Sequence, residues 1–271
     1  MPASKANKLL QWLRLSVNNP IEAIDRIATI IDVRSDLMFV EPPEYETVQY
    51  AEVFDRISSL NSVDPGAIRA EATEIEKQVR ERMQALNDGP IAHIHSADFA
   101  LARLCYAAVR VLRPKSVLET GVAYGVTSAF ILEALEQNGE GSLHSVDLPP
   151  LGPNVDSYVG ILIRDAVRSR WTLTRGPSRR VLPGVLKTIG TVDLFVHDSL
   201  HTYKNISYEL EKVSQHLSPN GAVIADDIDE NPAFLEWSKK HRPGYSAVVR
   251  EDVKDSLLGV AFFANEGSGR T

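Results

Sequence analysis

Apolar and polar positions change their spacing along this chain, and the change divides it into three stretches. Up to about residue 90 the apolar residues recur every three or four positions, the helical period. Leu9, Leu10, Leu13 and Leu15 predict a first helix, and Ile21, Ile24, Ile27, Ile30 and Ile31 a second with a single apolar stripe. Asn19-Pro20 supplies that second helix with a start, since proline at the first helical position gives up no hydrogen bond. Glu41-Pro42-Pro43-Glu44 interrupts the pattern, and a charged helix follows from Asp64 to Leu86 with Ile68, Ile75, Val79 and Met83 on one side.

From about residue 91 to 230 short apolar runs alternate with helical patterns. Ser116–Glu119, Ser142–Asp147, Trp171–Thr174, Asp193–His197 and Ala222–Ala225 read as strands. Between them lie helices over Thr127–Glu136, from about Tyr158 to Ser169, a short one after Pro177, and Tyr203–His216. This alternation predicts an α/β fold, a Rossmann-like, doubly wound and mostly parallel sheet with helices on both faces. Ligands of such sheets bind beyond the carboxyl ends of the strands. A helix over Pro232–Lys240, strands over Ser246–Val249 and Leu258–Phe263, and a frayed tail at Gly267–Thr271 complete the pattern. The expected organisation is a helical N-terminal extension over 1–90, acting in packing, oligomerisation or as a lid, and one main domain over 91–271.

A formal charge of −7 disfavours nucleic acid as a partner, because phosphates call for a basic surface. Arg164, Arg168, Arg170, Arg175, Arg179 and Arg180 lie close together and are expected to be a solvated face. The one cysteine, Cys105, excludes an intrachain disulfide and suits a reducing compartment. It lies in the apolar run Phe99–Leu112, so it is expected to be a packing residue. No run is long enough for a membrane span, and the start has no signal-peptide pattern. A cytoplasmic protein without a membrane partner is expected.

Two groups of residues carry chemistry. The first is the turn Glu119-Thr120-Gly121-Val122-Ala123-Tyr124-Gly125. Glycine serves where a nucleotide-binding backbone turns sharply or approaches its ligand closely. Thr127 and Ser128 open the following helix, where they would cap it beside the nucleotide. Asp147 ends the next strand, twenty-two residues after Gly125, where a carboxylate accepts both hydroxyls of a ribose. A dinucleotide turn prefers G-x-G-x-x-G, but here Glu119 opens it. Its carboxylate would repel a pyrophosphate and suits an ammonium group. The second group is Asp198, past the fourth strand, with Asp226 and Asp227 past the fifth. Three converging carboxylates need a cation or protons, and oxygen ligands suit Mg²⁺, Ca²⁺ or Mn²⁺. The alternative is that they cap helices. Asp229 is a spare carboxylate.

The stretch from Ser96 to Asn231 resembles class I S-adenosylmethionine (SAM)-dependent methyltransferases, in particular the branch of macrocin- and novobiocin-type O-methyltransferases and cephalosporin hydroxylase-like proteins. The resemblance implies a sheet ending in an antiparallel strand pair. It assigns the methionine end of SAM to Glu119, Gly121 and Gly125, the ribose to Asp147, and the adenine side to Gly176 and Ser178. It also implies a divalent metal, Mg²⁺ or similar, on Asp198, Asp226 and Asp227, and it supports a homodimer. Asp198 would also face the donor. His201 is the candidate general base beside it, since an imidazole titrates near neutrality. This branch often has a carboxylate there, and His201 could equally cap its helix or donate to Asp198. Tyr124 would cover the cofactor or the domain surface. His197 is expected on the other side of the strand end, and His93 and His95 at the edge of the site. The function these residues imply is SAM-dependent O-methylation of a small hydroxylated molecule, a sugar or natural product. The alternatives are an NAD-linked oxidoreductase and a non-catalytic SAM- or metal-binding module.

Overall fold

A computed structural model describes residues 5–59, 63–86, 99–250 and 256–263. Seven strands form one sheet in the order β3-β2-β1-β4-β5-β7-β6. They are β1 (Ser116–Thr120), β2 (Ser142–Asp147), β3 (Trp171–Arg175), β4 (Val192–His197), β5 (Leu217–Ala225), β6 (Tyr245–Arg250) and β7 (Leu257–Phe262). The first five are mutually parallel, and β7 runs antiparallel to both β5 and β6. The antiparallel C-terminal pair is therefore present.

The strands are apolar at successive positions because both faces are covered. Val117, Leu194, Val196, Ala222 and Ile224 join one core, while Leu118, Phe195, Val223 and Ala225 join the other. The first core is closed by α5 (Phe99–Leu112) and α6 (Val126–Asn138). Helices α3 (Tyr50–Ser59) and α4 (Pro65–Ala85) contribute Phe54, Ile57, Ile68 and Val79 to that same core. The second core is closed by α7 (Ser178–Ile189), α8 (Tyr203–Ser214) and α9 (Ala233–His241). Cys105 is fully buried in α5. No helix among the described residues is long and apolar enough to cross a membrane.

Two local expectations give way. The helix expected from about Tyr158 to Ser169 is two short 3-10 turns, Val155–Tyr158 and Asp165–Arg170. The backbone N–H groups of Gly160 and Leu162 bond instead to the carbonyls of Ala123 and Tyr124, which ties this segment to the β1 turn. β5 begins at Leu217, so Ser218-Pro219-Asn220-Gly221 lies within the strand; the pairing with β4 shifts register between Val192 and Leu194 to admit it. The short α3 escaped the pattern reading.

The two N-terminal helices form a hairpin, α1 (Lys5–Asn18) and α2 (Pro20–Phe39). Asn19 caps α2 as expected, accepting from the Glu22 N–H, with Pro20 following. The isoleucine stripe does not pack inward, however. Ile21, Ile24, Ile27 and Ile31 face solvent. The side of α2 turned toward the sheet is the acidic one, with Glu22 and Asp32 buried.

Candidate active site

The topological break between β1 and β4, whose neighbours run in opposite directions across the sheet, opens a cleft at the carboxyl ends of the strands. Thr120 pairs with His197, and His197 with Ala225. The register therefore sets Gly121, Asp198 and Asp226 side by side, each one residue past its strand. A cavity of about 660 Å³ lies over them. Gly121, Val122, Ala123, Asp147, Gly176, Ser178, Asp198, His201, Asp226 and Asp227 line it from below. Arg26, Ala28, Thr29, Ile30 and Asp32 of α2, with Trp12 of α1, line it from above.

Gly121 has φ +86°, and a Cβ there would lie 1.7 Å from the carbonyl oxygen of Asp198. Glycine is required because the loop after β4 crosses at that point, not for a turn alone. Asp147 receives backbone N–H groups from Val122, Ala123 and Leu148, while its Oδ2 has no partner. Burial raises its pKa to about 6. A buried acceptor left open at the end of β2 is what a hydroxyl-bearing ligand would satisfy.

Glu119 is fully buried beneath the turn. Its Oε2 accepts from Ser128 Oγ at 2.6 Å and Ser145 Oγ at 2.7 Å, and its Oε1 has no partner. Burial lifts its pKa to about 7, against the two serine hydrogen bonds that lower it. Several candidates from the turn lie off the cavity lining. Gly125 (φ +86°) caps α6 with its backbone and packs against Gly160, where a Cβ would meet that Cα at 2.8 Å. Tyr124 is buried in the first core, edge-on to Tyr158. Thr127 and Ser128 do not cap α6, because Gly125 holds that position and no side chain bonds there. Ser128 serves Glu119 instead.

The acids and histidines meet as follows. Asp198, His201 and Asp226 each offer one ligand atom, all within 4.8 Å of one another. Asp227, expected as the third member, turns its Oδ2 to His201 Nδ1 at 3.2 Å. His201 Nε2 lies 3.9 Å from Asp198. His197 is fully buried, and its ring stands edge-on to that of His201 at 5.6 Å. His93 and His95 lie outside the described residues.

Beneath this group sits a residue that the sequence reading missed. Glu209 of α8 is fully buried and bonds His197 Nδ1 (2.6 Å), Thr120 Oγ1 (2.6 Å), Ser199 Oγ (2.8 Å) and Asn205 Nδ2 (3.0 Å). Burial alone would raise its pKa, but His197 and the hydrogen bonds outweigh it and hold the carboxyl well below the usual range. Asn205 also accepts from Ser178 Oγ at 3.1 Å. One carboxylate thus ties together the ends of β1 and β4, the loop after β4 and the start of α7. Its signal was available: Glu209 interrupts the Ile206, Leu210, Val213 stripe of α8.

The arginine group is not a free basic patch. Arg175 pairs with Glu22, Arg180 with Asp25 and Arg179 with Asp32, all on α2. Arg164, Arg168 and Arg170 pair with Glu133, Asp165 and Glu136.

Residues 118–228 match the family model of a methyltransferase domain. Among solved structures, the O-methyltransferase from Bacillus cereus in complex with SAH superposes with a TM-score of 0.55 at 13% identity, covering 69% of this chain and 90% of that one. The O-methyltransferase TomG from Streptomyces achromogenes, involved in tomaymycin synthesis and solved with SAM, gives 0.51 at 12% identity, with 86% and 95% covered. An SAH-bound methyltransferase from Podospora anserina gives 0.50 at 16% identity, with 81% and 99% covered. At these identities the likeness is one of fold. No curated protein sequence matches the chain.

Proposed function

We propose that the chain is a class I, SAM-dependent methyltransferase that methylates a hydroxyl of a small molecule, a sugar or natural product, with divalent-metal assistance; the methyltransferase family model over residues 118–228 and the likeness of fold support it. The observation that carries this reading is one cavity shared by the open oxygen of Asp147 and the acids Asp198 and Asp226. Asp147 would take the ribose hydroxyls, with Gly121 and the backbone of Val122 and Ala123 along the methionine end and Gly176 and Ser178 toward the adenine. Glu119 would attract the ammonium through the turn from its buried position. When bound, SAM supplies the methyl group for in-line displacement, and catalysis rests largely on alignment of the acceptor oxygen.

Asp198 and Asp226 would hold the cation, which supplies Lewis acidity to the acceptor hydroxyl. Asp227 would then fix His201 through Nδ1, leaving Nε2 to take the hydroxyl proton. The grouping of Asp198, His201 and Asp226 also favours a second reading, in which His201 is the third ligand and Asp227 its orienting carboxylate. We place the protein in the cytoplasm, as a homodimer, with residues 1–90 as extension and lid to a domain over 91–271.

Calorimetric titration of SAM, NAD and Mg²⁺ into the full chain tests the proposal. We expect SAM to bind, NAD not to, and Asp147→Ala to abolish SAM binding. Absence of SAM binding would overturn the reading. His201→Ala separates the two roles: a base variant keeps Mg²⁺ affinity while losing turnover, and a ligand variant loses both.

A further inference from the structure

Helix α2 is amphipathic the wrong way round for a helix lying on its own domain. Glu22, Asp25, Asp32 and Asp36 recur on the side facing the cleft. Asp25 and Asp32 bond Arg180 and Arg179 at 2.8 Å, and Glu22 bonds Arg175 at 2.7 Å. Asp36 accepts the Tyr203 N–H, and Arg26 donates to the Pro149 carbonyl at 2.7 Å. Every one of these partners lies on a rim segment: the ends of β2 and β3, the start of α7, or the start of α8. These contacts between α2 and the rim are polar, and α2 packs against α1 on its flank.

The opposite side carries Ile24, Ile27, Ile31 and Met38, with Arg34 between the last two. Exposure runs from 50% at Ile27 to 73% at Met38. The steps of three, four, three and four residues make the seam that one helix offers to another. Leu13 and Val17 extend the apolar surface along α1. Of twelve exposed large apolar side chains among the described residues, eleven lie on these two helices. A monomer seldom leaves such a contiguous patch in water. The hairpin face measures about 30 Å by 20 Å, from the 20-residue length of α2 and two helix diameters. That approaches the roughly 800 Å² per partner of a standard interface.

We propose that this face docks against the same face of a second copy of the chain, forming a two-fold four-helix layer, and that docking holds α2 in place as the roof of the donor cavity. A seam of helical period calls for a partner helix, and an isologous contact lets one face serve both sides. A lipid surface is the weaker occupant, since anionic membranes repel a chain of net charge −7. Because the roof meets the rim through ion pairs whose arginines are about 40% exposed and through two hydrogen bonds to backbone, burying its apolar back adds stability that those contacts lack. Assembly and donor affinity are then linked. This linkage rests on the methyltransferase reading, whereas the interface does not.

The test measures mass by sedimentation velocity over a dilution series of the full chain, followed by SAM titration at high and low concentration. The variants are Ile27→Asn with Ile31→Asn, and Leu173→Asn, an exposed apolar residue on β3, as control. Circular dichroism confirms that each variant folds. We expect a wild-type dimer, a monomeric Ile27/Ile31 variant with SAM affinity reduced about tenfold, and an unaffected Leu173 variant. A monomeric wild type, a dimer that survives the double substitution, or partition of the wild type into phosphatidylcholine vesicles would overturn the interface. Equal SAM affinity in monomer and dimer would overturn the linkage. Failure of every form to bind SAM would instead fault the functional reading, and the masses would still decide the interface.

Discussion

Helices α2 and α8 both direct carboxylates toward the same end of the sheet, but in opposite ways. α8 commits a single one, Glu209, to a fully buried site, where four neighbouring side chains surround it. α2 spreads four along a rim; Glu22 and Asp32 are themselves buried, but the arginines that meet Glu22, Asp25 and Asp32 are about 40% exposed. A buried charge has no solvent to fall back on, so its partners define the geometry and its loss leaves them stranded. An exposed pair exchanges protein for water at little cost. The floor of the cleft is therefore built to stay fixed, and its roof to be detachable.

The largest effect expected from this contrast is on the floor. Glu209→Ala should remove about 3–5 kcal/mol of stability, as for other broken buried pairs, read by urea denaturation. A loss no greater than that of Asp25→Asn would erase the distinction between floor and roof.

A smaller effect is the response to pH. Glu209 is depressed in the folded state, so its contribution is present above the ordinary glutamate value and lost as pH falls toward its folded one. Asp147 and Glu119 are raised, so their contribution is present in acid and lost as pH rises through about 6 and about 7. The ligand-free protein should thus be most stable in mildly acidic solution. The melting-temperature gain on adding SAM should be larger above pH 7, where both acids are charged and seek a partner. A pH-independent gain would remove these two acids from donor binding.

The smallest effect is expected at the roof. Asp25→Asn, at a half-exposed pair with Arg180, should change stability by no more than about 1 kcal/mol. It should still weaken SAM binding a few-fold and flatten its dependence on added salt, measured by titration at low and high ionic strength. Unchanged salt dependence would mean that the ion pairs do not hold the roof.

Much of the floor was legible in the chain. Short apolar runs marked the strands, and Asp147, Asp198 and Asp226 stand at or just past their ends. Features set by partners distant in sequence were not legible. The segment from about Tyr158 to Ser169 reads as a helix, yet its Gly160 and Leu162 amides go to the β1 turn. The isoleucines of α2 keep a perfect helical period, but period says only that one side is apolar, not which way it faces. That orientation depended on Arg175, Arg179 and Arg180, more than a hundred residues away. Asp227 was grouped with its neighbour Asp226 by adjacency, whereas its left-handed backbone (φ +47°) turns it toward His201.

The contact between Gly121 and the Asp198 carbonyl has a consequence for how such a chain can diversify. With no room for even a methyl group there, the donor turn and the acid loop must change together or not at all. Mutational drift is channelled away from the floor and onto α1 and α2, whose inner residues contact the cavity without sharing the sheet's core. Under the proposed function, a lineage could exchange that hairpin and acquire a new acceptor while inheriting the floor unaltered.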